Sequence, residues 1–148
     1  MNALAIRPRA APALPFGLRT DLVALDEVLV KLDHGHATDR CLDADIYEAL
    51  GWEVIRAPYP LRRMGWRCRS PLATGWEPLP SPTGDLNAAA RLRPDGWDYG
   101  LRSVSGKAMG WCADPRNPLR FTEQNRLTAP RALTCAALFA RRMIAMGG

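Results

Sequence analysis

Proline and glycine recur so often along this chain that few elements between them can be long. Thirteen prolines and twelve glycines fill about a sixth of its 148 positions. Each is a break point, since proline removes a backbone donor and glycine favours turns. A bundle of long helices is thereby excluded, and many short elements joined by turns are expected.

One domain is expected from the length. Hydrophobic residues make 47% of the chain and charged residues 24%, which suits a packed globular core rather than disorder. The net charge is +5, and eighteen of the twenty basic residues are arginine. Arginine pairs bidentately with carboxylate and phosphate and stacks on aromatic rings. No run of eighteen apolar residues occurs, so no membrane span is expected. Residues 1–19 carry Arg7, Arg9 and Arg19, no acid, and three prolines. The prolines interrupt the apolar run a signal peptide needs, so the segment reads as a tail ahead of one domain at 20–148. Cys41, Cys68, Cys112 and Cys135 form no CxxC pair. They read as reduced thiols in a cytoplasmic protein.

Leu22, Leu25, Leu29 and Leu32 recur at helical spacing, predicting a helix from about Asp21 to His34 capped by Thr20. A second helix is expected at 39–50, capped by Thr38. Trp52–Ile55 opens a strand. Leu61–Arg69 alternates Met64, Trp66 and Cys68 against Arg63, Arg67 and Arg69, the two-residue period of a sheet. A short helix at about 84–92, capped by Ser81 or Thr83, follows a proline-rich loop. Trp97, Tyr99 and Leu101 then alternate in a strand. A turn at Ser105–Gly106 leads to a strand with Met109, Trp111 and Ala113 on one side, and Phe121 begins a brief extended piece. Thr128 and Pro130 open a final helix that stripes Leu133, Ala136, Ala137, Ala140 and Ile144 along one face. The order helix, helix, strand, strand, helix, strand, strand, helix predicts an α+β chain: an antiparallel or mixed sheet packed between helices, an α/β/α sandwich. The expected core includes Leu25, Leu29, Ile46, Trp66, Trp97, Leu101, Trp111 and Leu133.

His34, His36 and Cys41 have side chains that bind metals, but their HxHx4C spacing matches no zinc template. They read as a solvated interhelix loop, with metal binding left open. Gly100–Ala108 departs from a phosphate loop in its spacing and in having Ala108 where a hydroxyl is required, so a hairpin turn is expected. No GxSxG elbow occurs, and the carboxylates Asp43 and Asp45 stand two apart on a helix, facing different ways. No catalytic set and no cofactor are expected. The strongest surface signal is the set Arg63, Arg67 and Arg69, with Arg102 as a neighbour and Trp76 in a proline-rich loop. Clustered arginine beside aromatic rings suits an anionic partner. The more ordinary reading is a solvated sheet face that resists edge pairing, since the alternation sets Trp66 opposite the arginines.

The stretches "ADIYEALGW", "PSPTGDLNAAARL", "DGWDYGLRSV" and "TAPRALTCAALFARR" together resemble the phage ABA-sandwich domain family over roughly residues 39–146. The resemblance implies a sheet between helices and a bacteriophage or prophage origin. It implies no catalytic motif. From that context the expected function is non-enzymatic binding of a host or phage protein, host-defence components included. A nucleic acid or nucleotide held on the arginine face is the alternative. The oligomeric state is left open.

Overall fold

The computed structural model describes residues 20–35, 37–57 and 65–147. Ten elements follow in order: α1 (Leu22–Leu32), α2 (Arg40–Ala49), β1 (Glu53–Ile55), β2 (Arg67–Arg69), β3 (Glu77–Pro78), α3 (Leu86–Arg91), β4 (Asp98–Val104), β5 (Lys107–Ala113), β6 (Phe121–Arg126) and α4 (Ala129–Ala145). The chain is α+β, as expected, and all its strand pairings are antiparallel. The strands divide into two three-stranded sheets, ordered β1-β2-β3 and β4-β5-β6, where a single sheet was anticipated.

Aspartate starts three of the helices. Asp21 accepts from Val23 and Ala24, Asp39 from Leu42, and Asp85 from Asn87. Thr20, Thr38 and Ser81 or Thr83 were the expected caps. The carboxylates serve better because they add negative charge at the positive end of the helix dipole. Thr128 does stand at the N-cap of α4, without a side-chain bond to the helix.

α4 is the hub. Ala132, Leu133, Thr134, Cys135, Ala136, Ala137, Leu138 and Ala140 are all buried, nearly all the way round the helix. It packs on β4, β5 and β6, and also against α1 and α3. Small residues let its backbone approach closely. At Gly110 on β5, an added Cβ would lie 2.6 Å from the Leu133 backbone. Thr122 on β6 donates its hydroxyl to the Ala136 carbonyl at 2.7 Å.

That close approach sets the phase of β5 and corrects the expected core. Tyr99, Leu101, Gly110, Cys112 and Thr122 face α4, so Trp111 points to the opposite side of the sheet. Its indole lies across Gly100, where a Cβ would meet the ring at 2.5 Å. Trp111 is half-buried there, as is Trp66 against the main core. The other expected core residues (Leu25, Leu29, Ile46, Trp97, Leu101 and Leu133) are buried. The β4–β5 hairpin turns on Ser105 and Gly106, both with positive φ, a two-residue turn whose twist matches the strands.

Candidate functional site

The smaller sheet has two unlike faces. Its register pairs Glu53 with Arg69, Val54 with Cys68 and Ile55 with Arg67, and Arg67 with Pro78. Cys68 points inward and is fully buried. Burial, with the nearby Glu77 carboxylate, pushes its thiol up to about 12, and its side chain packs in the core. Arg67 and Arg69 project from the other face, as the alternation predicts. Trp76, leading into β3, joins them. The Arg69 guanidinium lies 4.6 Å above the Trp76 ring and also holds the Glu53 carboxylate at 2.8 Å. Trp76 is 40% exposed and Ile55 43%. Arg67 is exposed and has no carboxylate partner among the described residues. Among its described residues this face therefore offers one uncommitted cation beside a cation–aromatic stack and apolar surface.

Arg63 falls outside the described residues. Arg102 does not join the set. It stands on β4 in the larger sheet, bonded to Glu123 at 2.5 Å and to the Met109 sulfur at 3.1 Å. His34 and Cys41 line a concavity with Thr38, Asp39, Arg40 and Arg131, while His36 is outside the described residues. Among the described residues no three His, Cys, Asp or Glu side chains are grouped to hold a metal ion. No described helix is long and apolar enough to cross a membrane.

Two features escaped the sequence reading, and both spend charge inside the protein. Asp43 is fully buried on α2. It accepts from Arg40 at 2.9 Å, Ser81 at 2.9 Å, and the Thr83 backbone and hydroxyl at 3.0 and 2.8 Å. Arg40 also donates to the carbonyls of Leu79 and Pro80 and lies over the Trp66 ring at 5.9 Å. Four donors satisfy the buried carboxylate, and the network ties the start of α2 to the loop before α3. From the sequence alone, Asp43 beside Asp45 reads as solvated surface. Its spacing to Ile46, Tyr47 and Leu50 places it on the buried side of the helix, a signal that was there to read.

The second feature is a set of arginines clamped on backbone carbonyls. Arg131 is buried and donates to His34 and Ala37 just beyond α1. Arg141, also buried, donates to Leu92 and Arg93 at the end of α3. Arg93 donates to Ala90 and Trp97 and stacks 4.5 Å over Tyr99. Helix ends leave such carbonyls without partners, and a planar fork of donors reaches two at once. Burial lowers the Arg141 guanidinium to about 10.

The chain matches no known family model, and neither the curated proteins nor the solved structures include one similar to it.

Proposed function

We propose that this chain is a phage- or prophage-encoded accessory protein that binds a host or phage macromolecule, without catalysis, through the outer face of the smaller sheet. The observation that carries this reading is the grouping of Arg67, the Arg69–Trp76 stack and Ile55 on one exposed face. Arginine and tryptophan are the residues most often found as binding anchors, because each combines large contact area with directed polar groups. The phage context rests on the resemblance of residues 39–146.

A protein partner is favoured over a polyanion. Among the described residues of the face, Arg69 is already shared with Glu53, which leaves Arg67 as the unneutralised cation. Nucleic-acid binding draws its affinity from several phosphate contacts at once, roughly 6–10 in strong cases. A nucleic acid remains the second reading, since a guanidinium on an exposed indole also suits a base.

The test compares wild type with Arg67→Ala and Trp76→Ala in pull-downs from bacterial lysate, each with and without nuclease. A protein that wild type captures regardless of nuclease, and that both variants lose, supports the first reading. Loss on nuclease treatment supports the second. A partner retained equally by all three proteins removes this face from consideration.

A further inference from the structure

The smaller sheet sorts its outer face into two rows. Cross-strand pairing sets Ile55, Arg67 and Pro78 side by side, one from each strand, and directly paired residues point to the same side of a sheet. The next row holds Glu53 and Arg69, and one step further along the register brings Trp76. The two arginines differ in what flanks them. Arg69 is closed on both sides, by the Glu53 carboxylate at 2.8 Å and the Trp76 ring at 4.6 Å. Arg67 stands between two exposed apolar side chains, Ile55 and Pro78, neither of which can accept its hydrogens.

That setting selects the chemistry of what binds. A guanidinium fork matches the two oxygens of a carboxylate. A phosphate would bring more charge and a third oxygen. Among the described residues of the row, Arg67 offers the only donors, so that oxygen would lie against Ile55 or Pro78. A charged group set against apolar surface without a donor is costly. The same flanks favour apolar groups on either side of an acid. Pro78 also lacks the N–H that a further strand would need to pair with β3, so at that edge a partner lies across the face instead of extending the sheet.

We propose that this face takes a single acidic side chain of a partner protein, an aspartate or glutamate set between apolar residues. Its carboxylate sits on Arg67, and its apolar flanks lie on Ile55 and Pro78. The inference rests on the binding surface proposed above and names what that surface recognises. Arg69, already paired, holds the Trp76 ring beside the seat.

Nuclear magnetic resonance on the isotope-labelled full chain tests this. The Arg67 Nε–H and Trp76 indole N–H are followed while acetyl-Leu-Asp-Leu-amide is added to about 20 mM, a range that covers millimolar affinity. The Asp peptide should shift both signals. The matching Leu-Asn-Leu peptide should bind at least about fivefold more weakly, the upper end of the effect for an exposed ion pair. The Leu-phosphoserine-Leu peptide should bind no more tightly than the Asp peptide. Arg67→Gln should reduce the Asp peptide's affinity to that of the Asn peptide and leave the rest of the spectrum unchanged, a sign that the fold is intact. Equal affinity for the Asp and Asn peptides, tighter binding of the phosphoserine peptide, or no shift at the highest concentration overturns the proposal. Capture from lysate separates that failure from failure of the surface itself. A partner lost by Trp76→Ala but kept by Arg67→Gln retains the face and overturns the carboxylate, whereas a partner kept by both overturns the face.

Discussion

Arg141 and Arg142 are neighbours in α4 and lead opposite lives. Arg141 is buried on two carbonyls at the end of α3, while Arg142 reaches Asp26 of α1 at 2.7 Å across half-exposed surface. Truncating Arg141 to Ala orphans those carbonyls, each costing about 1–3 kcal/mol. We expect a total loss of about 2–4 kcal/mol in urea denaturation. Truncating Arg142 to Ala breaks an exposed pair, and the same measurement should register less than about 1 kcal/mol. Equal losses would show that the clamp contributes nothing special. The sequence holds part of this distinction: Leu133, Ala137 and Arg141 are four apart, so Arg141 lies on the buried stripe. What the sequence does not hold is the partner. A carbonyl has no side-chain signature, so a surplus of arginine reads as a basic surface even where the guanidinium is turned inward.

Among the elements, the long amphipathic ones were legible because their stripes repeat over several turns: α1, α2 and α4 fall where the apolar spacing puts them. Strand phase was harder. In β5 the apolar alternation of Met109, Trp111 and Ala113 pointed one way, and contact with α4 chose the other, through Gly110. A position with no side chain leaves no mark in a hydropathy pattern, although it is where helix and sheet come closest. Gly110→Ala should therefore cost about 1–3 kcal/mol by overpacking against the Leu133 backbone, seen as a lower melting temperature. A melting point equal to wild type would mean that α4 yields easily. The small sheet was legible only in its alternation, Arg67 and Arg69 against Cys68, since its strands are three residues or shorter. One link between elements is sensitive to pH. Asp45 receives Lys31 of α1 and Arg56 beyond β1. Partial burial alone would raise its carboxyl, but these bonds hold it below the ordinary 3.8. A depressed folded pKa stabilises the protein above the unfolded value, and that contribution fades as the pH falls through the folded one. Wild type should lose stability below about pH 4, and Asp45→Asn should lose less over the same range.

For the whole molecule, the two sheets lean on different helices: β1 packs against α2, while β4, β5 and β6 pack against α4. The proposed Arg67–Trp76 face thus lies on the sheet that α4 does not hold together, and a change at its exposed cation should leave the fold intact. Arg67→Ala should keep the wild-type melting temperature within about 2 °C, since surface substitutions usually fall within about 0.5 kcal/mol. A drop several times larger would mean that Arg67 supports the fold rather than a partner.

The central position of α4 also has a consequence in time. During synthesis it leaves the ribosome after every other described element, yet β4, β5, β6, α1 and α3 all pack on it. The carbonyls at the end of α3 wait for Arg141, some 50 residues later, about 3–10 s at ~5–20 residues per second. Through that interval the nascent chain carries an unfinished, sticky interior. Apolar surface left open in that way is where partly folded chains aggregate.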